Sequence, residues 1–169
     1  MVLSRDLGRG SVGLDTAVFI YFIEEHPRHI ETVEAIFAAI ADGRIQAVTS
    51  TLTLLETLVV PYRSGDLALA ERYEAVLTRS RGLRMVDLDR PVLRLAAQLR
   101  ARLRVKIPDA LQLAAALSAR CTTFVTGDRR LPDLPGLRIL QLSELRTDRP
   151  GPTDQLDTPR GIPLFSEPF

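Results

Sequence analysis

Short apolar runs alternate along the chain with longer segments in which apolar residues recur every three or four positions. The short runs show no polar alternation, which is typical of strands buried on both faces. They predict five strands, at 11–14, 45–49, 83–88, 123–126 and 137–142. The longer segments have the periodicity of amphipathic helices. Strands that alternate with helices predict a parallel sheet covered by helices on both sides.

Proline, glycine and capping residues mark where the predicted helices begin and end. We expect Gly43 to end the second helix, Pro61 and Gly65 to break the third, and Asp89 to cap the fifth. Pro108 opens the sixth helix, because proline fits the first helical turn. The predicted helices cover 16–25, 28–41, 51–60, 67–78, 90–103 and 109–119.

The chain is expected to form one domain between two shorter segments. Its 169 residues and 46% hydrophobic content fit a single globular domain. We expect an N-terminal extension at 1–10, the α/β domain at 11–145, and a Pro-rich tail without helical periodicity at 146–169. No apolar run approaches the roughly 18 residues of a membrane-spanning helix, and no signal-like stretch opens the chain, so a cytoplasmic location is expected.

The counts of cysteine, histidine and charged residues exclude several classes of site. One Cys and two His rule out a disulfide framework within the chain and a zinc site of the usual kind. A net charge of +1 excludes binding to nucleic acid by bulk charge, so such a contact requires a local patch. Among 22 basic residues only Lys106 is a lysine. A GC-rich genome explains this excess of arginine, and so does phosphate recognition, for which the guanidinium is well suited.

Four carboxylates stand where a parallel α/β sheet collects its ligands. Asp15 follows the first predicted strand and Asp128 follows the fourth, and the carboxyl ends of parallel strands share one edge. Asp109 lies in the first turn of an apolar helix, and Glu56 lies inside another. Taken singly, capping explains Asp109 and a turn explains Asp128. Glu56 is harder to explain structurally, because a carboxylate among apolar residues is costly to bury without a partner.

Four converging acids without matched basic partners would repel one another, and a divalent cation would remove that penalty. Oxygen ligands favour Mg²⁺ or Mn²⁺ over zinc. Such a site supports hydrolysis of a phosphodiester. Competing catalytic sites are lacking in the sequence. His26 and His29 lie at a polar helix start and are interpreted as surface residues, and there is no Gly-rich phosphate loop.

Four segments, taken in order, resemble the motifs of the PIN-domain family. They are Leu-Asp-Thr-Ala-Val at 14–18, Leu-Leu-Glu at 54–56, Ile-Pro-Asp-Ala-Leu-Gln-Leu-Ala-Ala-Ala at 107–116 and Val-Thr-Gly-Asp at 125–128. The resemblance covers roughly residues 11–143 and is closest to the VapC-type toxins of bacterial toxin–antitoxin pairs. Each motif alone is weak, and their order and spacing together carry the resemblance. Ala17 departs from the family pattern, in which Asn or Ser is frequent at this place.

This resemblance implies a three-layer α/β/α sandwich with a five-stranded parallel sheet, and a metal-dependent ribonuclease. It implies an acidic pocket around one or two Mg²⁺ or Mn²⁺ ions. Asp15 and Asp109 would be the firmest ligands, and Glu56 and Asp128 would act through water. Thr126 would hold the turn or a water on the metal. A cognate antitoxin would block this pocket.

Basic residues flank the proposed acids, and they suggest a rim for RNA. The densest basic stretch precedes Asp109, and two arginines follow Asp128. We expect these side chains to hold the RNA backbone; a solvated helix face and pairing with the acids are the alternatives. The proposed rim consists of Arg100, Arg102, Arg104, Lys106, Arg129 and Arg130. Few aromatic residues are near in sequence, so base stacking is not suggested.

The helix at 16–25 carries more large apolar side chains than one buried face requires, among them Phe19, Tyr21, Phe22 and Ile23. We expect them to form a groove for the antitoxin or for a second copy of the chain, the alternative being a helix buried on most sides. Two other functions stay open. One is a PIN-fold RNA-binding or regulatory module without turnover, and the other is cleavage of DNA instead of RNA.

Overall fold

The computed structural model describes residues 6–8 and 10–145, and within them five strands form one sheet. The strands are β1 (Ser11–Leu14), β2 (Ala47–Ser50), β3 (Leu83–Val86), β4 (Cys121–Thr126) and β5 (Arg138–Gln141). Their order is β3-β2-β1-β4-β5, and every neighbouring pair is parallel. The predicted five-stranded parallel sheet is therefore confirmed. The predicted Pro-rich tail and most of the predicted extension lie outside the described residues.

In the described part of the chain, six helices connect and cover the strands. They are α1 (Thr16–Ile23), α2 (Ile30–Ala41), α3 (Thr51–Ser64), α4 (Leu67–Arg79), α5 (Arg90–Leu103) and α6 (Ile107–Ser118). A short 3₁₀ helix, Leu142–Glu144, follows β5. Phe19 of α1, Ile36 of α2 and Leu77 of α4 are buried in one core cluster on one side of the sheet. Leu113 of α6 packs with Phe124 of β4 in a second cluster. This three-layer arrangement confirms the predicted α/β/α fold.

The N-terminal segment joins the core. Leu7 is fully buried in the cluster that contains α1 and α2. The Thr123 hydroxyl donates to the Leu7 carbonyl at 3.0 Å, and Nη1 of Arg138 donates to the Asp6 carbonyl at 2.9 Å. Residues 6–8 are thus tied to β4 and β5.

Pro61 does not break α3, and that detail of the prediction is wrong. The proline is buried within the helix, which continues to Ser64. A proline inside a helix removes one backbone donor. Here burial of its ring near the end of the helix offsets the missing bond. The helix ends at Gly65, whose φ of 72° is in the left-handed region that glycine adopts without strain.

The pairing of β1 with β4 determines where the acidic residues emerge. Leu14 lies opposite Val125 in the sheet, and the Asp15 N–H donates to the Val125 carbonyl at 3.0 Å. Because the two strands are parallel neighbours, the residues that follow them leave the sheet at the same edge. Asp15 and the turn at 126–128 are therefore brought together. None of the helices among the described residues is long and apolar enough to cross a membrane.

Candidate active site

Asp15 directly follows β1, and its carboxylate is held by one backbone N–H and one side-chain hydroxyl. It caps α1, and its Oδ1 accepts from the Thr16 N–H at 2.8 Å. Its Oδ2 accepts from the Thr126 hydroxyl at 2.6 Å. Thr126 is fully buried, and its hydroxyl also accepts from the Asp128 N–H at 2.9 Å. One threonine hydroxyl therefore links the first acid to the backbone of the turn that carries the last.

Three of the four acids proposed from the sequence meet in one cavity. Asp15, Glu56 and Asp109 line a cavity of about 260 Å³, which opens between the N-terminal ends of α1 and α6 and the middle of α3. Ala17 and Gln112 complete part of its wall. Asp109 is in the first turn of α6, whose N-cap residue has no capping side chain.

Burial and mutual repulsion disfavour the ionised forms of two of these acids. Burial raises the pKa of Asp15, and the charges of Asp109 and Glu56 raise it further, against hydrogen bonds from threonine that lower it. Burial likewise raises the pKa of Asp109, and the charge of Asp128 adds to this increase. Lys106 acts against it through its backbone N–H and its charge. A cation in the cavity would favour the ionised forms.

Asp128 is not among the residues that line the cavity, and its carboxylate pairs with Arg130. The Nε of Arg130 donates to Oδ1 of Asp128 at 2.9 Å, and its Nη2 donates to Oδ2 at 2.7 Å. The backbone N–H of Arg130 also donates to Oδ1 at 2.9 Å. These bonds lower the pKa of Asp128 to about 2. Of the two alternatives for Arg130, the structure shows the pairing with an acid.

The donor set is chemically suited to a hard divalent cation, since it consists of carboxylate oxygens in a partly buried cavity. Across residues 6–8 and 10–145, no three His, Cys, Asp or Glu side chains are grouped so that they could hold one ion. Glu56 accepts a hydrogen bond from the Thr16 hydroxyl, and Asp128 is paired with Arg130. Asp128, which Arg130 holds on both oxygens, would have to leave this partner to join a shared ion directly, whereas Glu56 keeps lone pairs free for one.

A buried polar network beneath the cavity was not anticipated from the sequence. The Gln112 Nε2 donates to the hydroxyls of Thr16 at 2.9 Å and of Thr53 at 2.8 Å. Its Oε1 accepts from the Ser50 hydroxyl at 2.9 Å. Residues three apart share a helix face, so the spacing from Asp109 to Gln112 was the signal that would have pointed to it. Gln112 joins α6 to α1, β2 and α3.

The two histidines are partly exposed, in line with their interpretation as surface residues, but they form an aromatic cluster with Tyr21 that the sequence did not predict. The ring centroids of Tyr21 and His26 are 4.6 Å apart, those of Tyr21 and His29 are 4.8 Å apart, and those of the two histidines are 5.1 Å apart. The backbone N–H of His26 donates to the backbone carbonyl of Tyr21 at 3.0 Å. The chain therefore folds back over α1 after the last turn of that helix. Periodicity does not reveal such a turn.

The proposed rim residues lie in different places. Lys106 precedes α6 and favours the ionised forms of the Asp109 and Asp128 carboxyls, whereas Arg100 and Arg104 line a separate cavity of about 740 Å³ along α5 and α6. Arg102 and Arg129 are exposed. Lys106, Arg129 and Arg130 are thus close in the chain to the acids. Arg100 and Arg102 lie on α5, and Arg104 directly follows it.

The apolar side chains of α1 are mostly covered. Phe19 and Ile23 are buried in the core. Phe22 is partly buried, and its ring stacks on that of Phe37 with centroids 4.0 Å apart. Both rings line a cavity of about 530 Å³, which Val76 of α4 also lines. Of the four large apolar side chains that were expected to form a groove, only Tyr21 and Phe22 are partly exposed. Phe22 lines the apolar cavity.

Replacing Arg130 with glutamine is expected to raise the pKa of Asp128 from about 2 toward its ordinary value of 3.8. The charged hydrogen bonds from the guanidinium are lost, while the backbone N–H of residue 130 and the charge of Lys106 still favour the carboxylate. A carboxyl whose folded-state pKa is lowered contributes stability above its unfolded-state pKa, and loses it as the pH falls. The variant should therefore lack part of the stability that the wild type loses between about pH 4 and pH 2. Carbon-detected NMR titration measures the pKa directly; Arg129→Gln is the matched control, and an unshifted Asp128 would contradict the pairing.

Comparison with known proteins agrees with this fold. The PIN domain family model matches residues 12–137. A chain of DNA-bound VapBC from Salmonella typhimurium is 26% identical, with a TM-score of 0.56 over 78% of this chain and 98% of that chain. A chain of VapBC2 from Rickettsia felis, bound to a promoter DNA fragment, is 18% identical, with a TM-score of 0.62 over 77% of this chain and 97% of that chain.

A chain of a toxin–antitoxin complex from Klebsiella pneumoniae is 19% identical, with a TM-score of 0.56 over 75% of this chain and 94% of that chain. No curated protein sequence matches. The family match spans three quarters of the chain and includes all four motifs in full, with the acids at positions 15, 56, 109 and 128. The chain belongs to the PIN-domain family.

Proposed function

We propose that this protein is a Mg²⁺- or Mn²⁺-dependent endoribonuclease and the toxin of a toxin–antitoxin pair. The observation that carries the proposal is the cavity in which Asp15, Glu56 and Asp109 meet, next to Asp128 in a member of the PIN-domain family. Carboxyls whose charge is disfavoured by burial and repulsion are suited to binding a divalent cation. Because the charged forms of these carboxyls are unfavourable in the free protein, a cation is expected to bind in the cavity.

Asp15 and Asp109 are the proposed direct ligands, with Glu56 and Asp128 acting through water. When bound, one or two such ions would supply acidity to a water molecule and neutralise charge on the phosphodiester. Asp15 is held in place for this by the Thr16 N–H and the Thr126 hydroxyl. The protein's own residues thus orient the carboxylates before substrate arrives, which limits reorganisation during the reaction.

Basic side chains are proposed to hold the RNA backbone beside these acids. Arg130 is exposed and pairs with Asp128, and a phosphate oxygen can replace that carboxylate in its planar fork. Lys106 and Arg129 would extend the contact near the cavity. Arg100, Arg102 and Arg104 would continue it along α5. Phosphate contacts of this kind bind RNA without reading its sequence.

An antitoxin is the proposed partner of the cavity that Phe22 and Phe37 line. The Klebsiella pneumoniae structure is described as a toxin–antitoxin complex, which supports a partner for this chain as well. An amphipathic helix fits an apolar groove of this kind. A second copy of the chain is the other candidate, and the apolar side chains exposed on α3, such as Leu55 and Tyr62, offer it a different surface.

Substituting Phe22 with serine is expected to weaken antitoxin binding roughly thirtyfold, because a buried aromatic anchor contributes about 2 kcal/mol to an interface. Leu93→Ser is the matched control, since Leu93 is an exposed apolar residue on α5. Calorimetric titration with the cognate antitoxin measures both affinities. Undiminished affinity of a folded Phe22→Ser protein would remove this cavity from the interface.

The function is tested with total tRNA, incubated with the wild type or with Asp109→Asn in Mn²⁺ or in chelator. We expect loss of RNA with the wild type in Mn²⁺ alone. Equal RNA loss by both proteins, or loss that survives chelation, would refute the proposal. Single-stranded DNA in the same assay decides between the two nucleic acids.

A module that binds RNA without turnover is the second candidate. The pairing of Asp128 with Arg130 favours it, because the charge of this acid is already neutralised by the protein's own cation. Retention of RNA without cleavage in Mn²⁺ is the outcome that this reading expects.

A further inference from the structure

Tyr21, His26 and His29 form a part-exposed cluster of three rings on the side of the domain where α1 ends. The rings of Tyr21 and His29 are stacked, with planes 18° apart, and His26 is tilted against both. All three side chains are partly accessible to solvent. The cluster thus differs from core rings, which are buried, and from isolated surface rings, which do not contact one another.

This ring cluster lies against the turn that carries Asp128. A Cβ on Gly127 would be 3.4 Å from the ring and the hydroxyl of Tyr21, so the tyrosine is in contact distance of that turn. Gly127 separates Thr126, which bonds Asp15, from Asp128. The rings therefore adjoin the acidic site, although they are distant from most of its residues in sequence.

The histidines are not arranged for proton transfer or for metal binding. The His26 Nδ1 accepts from the Arg28 backbone N–H at 3.3 Å. Burial, then His26 and Arg28, lower the pKa of His29. Within residues 6–8 and 10–145, neither histidine is hydrogen-bonded to a carboxylate or belongs to a group that could hold a metal. What the cluster offers a ligand is the faces and edges of three aromatic rings.

We propose that Tyr21, His26 and His29 form a stacking subsite for one unpaired nucleobase of an RNA whose phosphate lies at the acidic cavity. The inference rests on the proposed function. Every base has a flat π surface, and stacking on aromatic side chains is how single strands are held without base pairing. Exposed Arg28 beside the rings supplies a positive charge for the adjoining phosphate.

The test compares two probes, a single-stranded RNA of about 12 nucleotides and a ribose-phosphate chain of the same length without bases. Binding is measured by anisotropy in Ca²⁺, with intact RNA verified on a gel. We expect the wild type to prefer the base-bearing probe by roughly tenfold, the effect of one stacked base. His29→Leu should lose this preference, whereas His29→Phe should retain it because the ring is kept. Tyr62→Leu, an exposed aromatic site on α3, is the control that should retain it as well.

The outcomes separate this inference from the function on which it rests. If the wild type cleaves tRNA but shows no preference between the probes, or if His29→Leu keeps the preference, the stacking subsite is overturned and the nuclease stands. If the wild type binds neither probe and cleaves no RNA, both are overturned. Circular dichroism verifies folding, and His26→Leu replaces His29→Leu if that variant is unfolded.

Discussion

Replacing Asp109 with asparagine is expected to stabilise the protein in chelator while it lowers RNA cleavage by about a hundredfold or more. In the free protein the Asp109 carboxyl is disfavoured in its charged form by burial and by the charge of Asp128. The neutral amide removes both penalties. It also removes a proposed ligand of the catalytic ion, so added Mn²⁺ should raise the melting temperature of the wild type and have little effect on the variant.

The sign of the pH dependence follows from the direction of the pKa change. A carboxyl whose folded-state pKa is raised binds its proton more readily in the folded protein. Its contribution to stability is complete below the unfolded-state value of 3.8 and is lost as the pH rises through the folded-state pKa. The wild type in chelator should therefore lose stability on the alkaline side of about pH 4 more steeply than Asp109→Asn does.

Thermal unfolding in chelator at several pH values measures both effects. Asp133→Asn, a change at an exposed aspartate on the β4–β5 connection, controls for loss of one negative charge. A melting temperature that falls in Asp109→Asn at neutral pH would show that the acid stabilises the free fold. That result would remove the electrostatic reason for a cation in the cavity.

Substituting Gln112 with methionine is expected to destabilise the protein by roughly 2–4 kcal/mol. The two side chains are similar in size, but methionine cannot replace the bonds to Ser50, Thr16 and Thr53. Gln112 is 3% exposed, so water does not readily satisfy the hydroxyls that it leaves. For a domain of this size we expect the melting temperature to fall by roughly ten degrees.

Cleavage should decrease in the same variant at temperatures where it is folded, because Thr16 connects Gln112 to both Asp15 and Glu56. Gln98→Met on the exposed face of α5 is the matched control. Chemical denaturation and single-turnover cleavage measure the two effects. If Gln112→Met is as stable as Gln98→Met, the network does not support the site in the way described.

The sheet and the meeting of the acids could be predicted because both follow from chain order. Buried runs separated by helices specify parallel strands, and the residues after parallel neighbours leave the sheet together. That logic places Asp15 near the turn of Asp128 without any knowledge of side-chain contacts. The prediction of a break at Pro61 was wrong because the burial of a ring depends on packing that local propensity does not contain.

The network and the ring cluster could not be predicted in the same way. The bonds of Gln112 reach residues 59 to 96 positions away in the chain, so no local pattern records them. The histidines meet Tyr21 because the turn after α1 folds back. The sequence allowed Arg130 to bind either an RNA phosphate or one of the acids. The structure shows that it pairs with Asp128 in the free protein.

The central claim is that the acidic cavity uses a cation to cleave RNA with water as the nucleophile, and the ends of the cleaved RNA test it most directly. End-labelled RNA is incubated with the wild type in Mn²⁺ and in chelator, and the new termini are identified by enzymatic phosphate removal and mass spectrometry. We expect cleavage only with the cation, leaving a 5′ or 3′ monophosphate and no 2′,3′-cyclic phosphate. A cyclic phosphate, which forms when the RNA's own 2′-hydroxyl attacks, or cleavage that persists in chelator would contradict the account.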